Sequence, residues 1–311
     1  MKKRSTPPRV CLAAAATFAC GLLAAPAQAI VSTSTATSLL GSSTDLLDGV
    51  AKLVINGGTG CSGTLLAGGA YVLTAAHCVT DTSGALTATN IAVSFDSGAV
   101  TASVSSASQI AVFSSWNGVL GENDDLALLR LDTAVTSVAG YALYTSSALG
   151  KTVLVAGYGL TGTGAAGATT GSWGTLHYGY NQYESYFSNA SSSILYDFDS
   201  GSSANNLFGS LGLGSSEAMI ASGDSGGASF VSLSGVLYLA GVHSFGGTAG
   251  VGDVDSALNS SYGEIGGDTQ IYSAANLSWI QSVTAVPEPS VSALLLCGLI
   301  GMGTWRRRVM R

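Results

Sequence analysis

Gly223-Asp224-Ser225-Gly226-Gly227 is the stretch on which the reading of this 311-residue chain turns. A serine hydroxyl is a weak nucleophile unless a base within hydrogen-bond reach takes its proton, and that base needs a carboxylate to set its tautomer. Glycines beside Ser225 leave room for backbone N–H groups to approach a carbonyl oxygen that becomes negative. Upstream, Leu73-Thr74-Ala75-Ala76-His77-Cys78 offers the base, His77. Between them, Asn123-Asp124-Asp125-Leu126-Ala127-Leu128-Leu129-Arg130-Leu131 offers the carboxylate. Successive side chains of a strand face opposite ways, so only one of Asp124 and Asp125 can reach His77. The N–H groups of Gly223 and Ser225 are the expected oxyanion donors.

Taken together, these segments resemble the chymotrypsin-fold, trypsin-like serine proteases, in their chain order His, Asp, Ser. The resemblance covers residues 50–283. It includes Cys61-Ser62-Gly63-Thr64-Leu65-Leu66, Ala156-Gly157-Tyr158-Gly159, Gly241-Val242-His243-Ser244-Phe245-Gly246 and the terminal Leu277-x-Trp279-Ile280. It implies an all-β fold of two antiparallel six-stranded β-barrels with a short C-terminal helix and the active site between the barrels. The family register selects Asp125 as the catalytic carboxylate and leaves Asp124 solvated or locally hydrogen-bonded. The resemblance further implies a Cys61–Cys78 disulfide and a Ser244 hydroxyl that supports Asp125. Ser244, Phe245 and Gly246 would pair with substrate backbone, as edge strands do in other peptide binders. Asp224 would receive the ammonium of the mature N-terminus. Met219, six residues before the nucleophile, would lie at the base of the specificity pocket. A buried Lys or Arg would lack a carboxylate partner there, so apolar or small residues are expected before the cut. Two features depart from the pattern: no cysteine precedes Gly223 to flank the nucleophile with a disulfide, and Ala228 stands where proline is common.

Composition agrees with a turn-rich β protein. Hydrophobic residues make up 47% of the chain, charged residues 9%, and there are 42 glycines. Short apolar runs at 52–55, 70–74, 91–95, 109–113, 126–131, 152–158, 175–180, 194–198 and 236–243 are predicted strands, and 274–283 is a predicted helix. The Gly/Ser/Ala-rich stretches 157–174 and 200–216 are predicted loops. Between residues 30 and 285, Lys52, Arg130 and Lys151 face seventeen carboxylates, a formal charge of −14. Such a body has no basic patch and excludes nucleic acid as a partner. The acidity reads as a solubility and habitat feature. Asp197, Asp199 and Asn205 lack the spacing of a calcium loop and read as solvated turn side chains, so neither metal nor cofactor is expected. His243 reads as a strand histidine with a structural hydrogen bond, and His177 as a surface or core residue.

The two ends read as addresses. Residues 1–29 carry the basic start Lys2-Lys3-Arg4, an apolar stretch and the small-residue site Ala27-Gln28-Ala29, the pattern of a secretory signal peptide cut after Ala29. Cys61 and Cys78 are then the only cysteines of the body, and outside the cytoplasm they are most simply one disulfide. Residues 284–311 hold Val286-Pro287-Glu288-Pro289, an apolar segment of 15 residues and Arg306-Arg307-Arg308. This tail resembles the PEP-CTERM sorting signal of Gram-negative bacteria. The resemblance implies transient membrane association, processing by an exosortase-type enzyme, and delivery to the cell surface or extracellular matrix. Cleavage by signal peptidase would create Ile30-Val31 as the new N-terminus. Residues 30–50 are therefore either an inserting N-terminus that pairs with Asp224 or a mobile Ser/Thr-rich leader. The protease domain spans 51–283. The reading is an exported, monomeric serine endopeptidase acting on proteins or peptides. Its alternatives are a catalytically silent matrix scaffold or adhesion module on the same fold, and a serine esterase.

Overall fold

The computed structural model describes residues 30–33, 45–169, 173–188, 192–250 and 252–285. The signal peptide and the sorting motif of the tail lie outside the described residues.

Two antiparallel sheets, each curled on itself, carry the architecture. In the first, seven strands run in the order Val100–Val104, Ile91–Phe95, Val50–Ile55, Thr59–Leu65, Tyr71–Thr74, Ala127–Arg130 and Ile110–Val112. The second has eight. Its main path is His177–Gln182, Thr152–Gly157, Ala228–Leu233, Val236–Thr248, Glu264–Gln270, Ser193–Asp197 and Ser185–Tyr186, with Ala142–Leu143 added parallel to the Val236–Thr248 strand. The two-barrel plan is the expected one. The sheets hold seven and eight strands instead of six each because pieces of two or three residues add to them, Ile110–Val112 and Ser185–Tyr186 at sheet edges and Ala142–Leu143 alongside Val236–Thr248.

Each barrel closes on aliphatic and aromatic side chains. Leu53, Leu65, Leu73, Ile91, Val93 and Phe95 are fully or almost fully buried in the first. Tyr183, Ile194, Tyr196 and Phe198 fill the second. The seam between them is also packed, with the Tyr141 and Phe230 rings 4.4 Å apart. The helix Ala274–Thr284 starts at Ser273, whose Oγ accepts the Asn276 N–H at 3.1 Å, a cap that satisfies one of the free amides of the first turn. It returns the chain to the first barrel, where Trp279 meets Phe113 with ring centroids 5.0 Å apart. Cys61 and Cys78 form a disulfide, which closes the hairpin on the histidine turn and constrains the unfolded chain by about 3 kcal/mol.

One expectation from the sequence is corrected here. The stretch 157–174 is not only loop: Thr161–Thr163 and Gly167–Thr169 form a small antiparallel pair within it. That pair continues into Ile30–Ser32 and Ala218–Met219 as a four-stranded sheet, in which Ile30 is 1% and Val31 0% exposed. Isoleucine and valine have apolar area to bury, and the gap beside Met219 receives it.

Candidate active site

Register brings the histidine and the aspartate together. The strands Tyr71–Thr74 and Ala127–Arg130 pair with Thr74 opposite Ala127, so the turn that follows Thr74 lies beside the residues that precede Ala127. His77 sits in that turn, Ala76–Cys78, and Asp125 lies two residues before the partner strand. Asp125 is fully buried. Its Oδ2 lies 2.6 Å from His77 Nδ1, and its Oδ1 accepts the His77 backbone N–H at 2.8 Å. A third donor comes from the other barrel, the Ser244 hydroxyl, 2.6 Å from Oδ2. Ser244 occupies a bulge in the Val236–Thr248 strand: His243 faces Asp268 and Phe245 faces Gly267, leaving Ser244 unmatched. The extra residue turns its side chain out of the sheet pattern toward Asp125. Asp124 instead accepts from Ser115 Oγ at 3.4 Å.

Ser225 is carried by the tight loop ahead of the strand Ala228–Leu233. Gly223 and Gly226 have φ of +95° and +79°, where a β-carbon is strained. At Gly226 a Cβ would also lie 2.0 Å from Thr74 Oγ1, so the loop fits the seam only without a side chain. Among the described residues the hydrogen bonds of this loop engage the N–H groups of Asp224, Gly226 and Gly227, and none engages those of Gly223 or Ser225. Ser62 is a residue the sequence reading missed. Its N–H donates to Ser225 O at 2.8 Å, its Oγ donates to Gly223 O at 2.9 Å, and the Tyr158 N–H donates to that Oγ at 2.9 Å. It ties the nucleophile loop to the first barrel where the flanking disulfide is missing. No local signal marks it apart from its place beside Cys61.

His77 and Ser225 line one cavity of about 470 Å3, together with Leu160, Ile220, Ala221, Ser222, Ser244, Phe245, Gly246 and Glu264. Met219 lies one residue behind this wall, fully buried, with its Cε 3.8 Å from where a Cβ on Gly246 would stand. Glu264 is 1% exposed, and its Oε1 accepts the N–H groups of Asn259 and Ser261 at 2.8 and 3.0 Å.

The family model described as Trypsin matches residues 44–260, about seven-tenths of the chain. The chain belongs to the trypsin family. No curated protein matches it. The match supports a trypsin-like serine peptidase in general, a class whose substrates are proteins, and the fold and disulfide fit an extracellular protein. Among the described residues no helix is long and apolar enough to cross a membrane.

Behind the nucleophile, this trypsin-family chain buries two further carboxylates. Asp224 is fully buried; its Oδ1 accepts the Gly159 N–H at 2.7 Å and its Oδ2 the Ala221 N–H at 2.9 Å. Burial pushes its carboxyl up to about 6, against the pull of those amides and of His243. The Ile30 nitrogen donates to Leu160 O at 3.0 Å, one residue along the chain from the Gly159 amide that Asp224 holds. Asp268, which the sequence reading also missed, accepts from Tyr183 Oη at 2.5 Å and Ser229 Oγ at 2.5 Å and lies 2.9 Å from His243 Nδ1. Burial alone would lower His243; Asp268, with Asp224 beyond it, reverses this and raises it. His177 is buried, with Nδ1 3.0 Å from Thr175 O.

Asp197 and Asp199, expected to be solvated, are 0% and 1% exposed. The sheet edge folds over them because the residues that flank them, Tyr196 and Phe198, carry the barrel core. Asn205 lies apart, donating to Gly252 O at 2.5 Å.

Proposed function

We propose that this protein is an exported serine endopeptidase that cleaves peptide bonds through His77, Asp125 and Ser225. What carries the reading is Asp125: a buried carboxylate that accepts from both barrels and from His77 twice, beside a cavity that His77 and Ser225 share. With Nδ1–H donated to Asp125, the lone pair of His77 Nε2 is free to take the Ser225 proton. Ser225 Oγ then bonds to the scissile carbonyl carbon, and the negative oxygen is met by the N–H groups of Gly223 and Ser225. As the C–N bond breaks, His77 returns the proton to the leaving amine. Water, activated by the same histidine, releases the acyl group and restores Ser225. Substrate backbone would lie along Ser244, Phe245 and Gly246.

Activation in this reading follows signal-peptide cleavage after Ala29. Two observations support it. Ile30–Ser32 already occupies a buried strand slot, paired with Thr161–Thr163 and with Met219. Ile30 also has φ +68°, which a β-branched residue tolerates poorly. That torsion exists only while a peptide bond joins Ile30 to Ala29, so cleavage relieves it. The freed ammonium would then pair with Asp224. The tail would hold the precursor at the membrane for an exosortase-type enzyme before surface delivery.

The walls Leu160, Ile220, Ala221 and Phe245 favour an apolar or small residue before the cut. Glu264, also on the cavity, favours a second reading in which a basic residue is accepted there. Cleavage-site profiling separates them: a profile dominated by Lys and Arg assigns the pocket to Glu264. The endopeptidase reading itself is tested by Ser225→Ala together with fluorophosphonate labelling. The variant should keep its urea midpoint and lose at least about a thousandfold in peptide hydrolysis, while only the wild type is labelled. An unlabelled wild type would indicate the scaffold alternative. Turnover of esters with none of unstructured peptides would indicate the esterase.

A further inference from the structure

We propose a calcium site at the edge of the second barrel, ligated by Glu184, Asp197 and Asp199. Oxygen atoms of these three carboxylates lie within 4.8 Å of one another. Proximity of acidic groups alone would not make a site. The second observation is that Asp199 is 1% exposed and neither of its oxygens has a hydrogen-bond partner, and that Oδ1 of the fully buried Asp197 has none either. A buried carboxylate without a donor is costly, and a cation supplies what is missing. Among the described residues every ion pair joins a histidine to an aspartate, so no Lys or Arg neutralises the cluster.

The remaining oxygens of the region are already engaged, which orients the free ones. Asp197 Oδ2 accepts the Leu207 N–H at 2.5 Å, and Glu184 Oε1 accepts the Ser210 N–H at 2.8 Å. Glu217 accepts from the Asp199 N–H at 2.8 Å and from the Leu213 N–H. Three segments thus meet at the cluster: the turn after His177–Gln182, the end of Ser193–Asp197, and the 207–213 loop. The donor set is all oxygen, with no histidine or cysteine, which disfavours zinc and copper. Calcium accepts several carboxylates in irregular geometry, whereas magnesium demands a near-ideal octahedron and keeps its waters. Bound there, the ion would brace the long insertion ahead of the nucleophile. It would also brace the seat of the N-terminal strand, since Glu217 O accepts the Thr33 N–H at 3.1 Å and Gly214 O accepts Thr33 Oγ1 at 2.8 Å.

The test uses the purified protein stripped with EDTA and does not pass through peptide hydrolysis. Terbium luminescence should titrate to one ion per chain and be displaced by calcium. Calcium at about a hundredfold excess over its dissociation constant should raise the melting temperature by about 5–10 °C, and magnesium by less than half of that. Asp199→Asn and Glu184→Gln should abolish both effects, whereas Asp132→Asn, on the other barrel, should keep them. Without calcium, Asp199→Asn should melt no lower than the wild type, because it removes a repelling charge; a carboxylate that served only as a structural acceptor would show the opposite. No terbium titration and no rise in melting temperature for the wild type at about 10 mM calcium would overturn the site. A calcium-induced rise undiminished in both cluster variants would overturn it too. Should either variant fail to fold, the wild-type titration and the other variant decide.

Discussion

An extra alanine placed before Ile30 tests how the N-terminus and the catalytic loop are coupled. In the proposed mature chain the Ile30 ammonium would pair with Asp224, a carboxylate that is completely buried and accepts the Gly159 and Ala221 amides. One residue moves the charge by about 3.8 Å. At an effective dielectric of about 20, a charge pair is worth about 4 kcal/mol at 4 Å and about 2 kcal/mol at 8 Å, so about 2 kcal/mol is lost. If that loss falls on the loop bearing Gly223 and Ser225, peptide hydrolysis drops by at least about tenfold. A stability signature accompanies it. Without the ammonium, the Asp224 carboxyl is raised from 3.8 to about 6 in the folded state. A raised folded-state value means stability that is complete below about pH 4 and is lost as pH rises through about 6, by about 3 kcal/mol. With the ammonium in place the carboxylate is held ionised and that loss disappears. Urea unfolding of both forms between pH 4 and 7, on a Ser225→Ala background to prevent self-digestion, reads the difference, and N-terminal sequencing confirms each form. Equal hydrolysis rates together with superimposable stability profiles would refute the coupling and leave Ile30–Val31 as a strand that happens to follow the signal site.

Three further outcomes are expected. Asp268→Asn, which takes the charge from His243 while keeping the volume, should cost about 3–5 kcal/mol and lower the melting temperature by roughly 10 °C; a calorimetric shift below about 2 °C would show that His243 is neutral in the fold. Ser244→Ala should lower kcat by about tenfold with little change in the urea midpoint, since one charge-assisted bond to Asp125 is lost; steady-state kinetics with a peptide substrate reads it. Deleting residues 286–311 should abolish surface retention in fractionated cells while leaving hydrolysis by the purified domain unchanged, and a soluble but inactive product would make the tail part of the fold.

Strands built from Val, Ile, Leu and Tyr were legible in the sequence; Ile91–Phe95 and Val50–Ile55 carry the alternation that a half-buried strand needs. Thr59–Leu65 and Glu264–Gln270 were not, because glycines interrupt them. Those of Glu264–Gln270 are seats for rings supplied by other strands: a Cβ on Gly266 would lie 2.2 Å from the Tyr196 ring, and one on Gly267 would lie 2.3 Å from the Phe245 ring. No local propensity records a ring that arrives from elsewhere in the chain. The same division runs through the site. His77, Asp125 and Ser225 stand inside short motifs whose neighbours are themselves constrained. Ser62, Asp268 and Glu184 acquire meaning only through long-range register, as when the bulge at Ser244 aligns His243 with Asp268.

Sequence alone makes the −14 charge of the body look like a property of its surface. Of the seventeen carboxylates, Asp125, Asp197, Asp199, Glu217, Asp224, Glu264 and Asp268 are buried. Most of them accept from two or more donors, and many of those donors are backbone amides of irregular segments: Gly159, Asp199, Ala221, Asn259 and Ser261. A chain with 42 glycines and few long side chains folds through many loops, and every buried amide in them needs an acceptor. Strand ladders cannot serve amides outside the sheets. A carboxylate can, because it offers two oxygens and binds amides more strongly than a neutral acceptor does. The acidity is therefore in large part an internal scaffold. It holds the nucleophile loop through Asp224 and one wall of the cavity through Glu264, where a flanking disulfide would otherwise be expected. Among the described residues Asp199 stands out within that scaffold as the buried carboxylate with no donor on either oxygen, and for that reason the proposed cation belongs there.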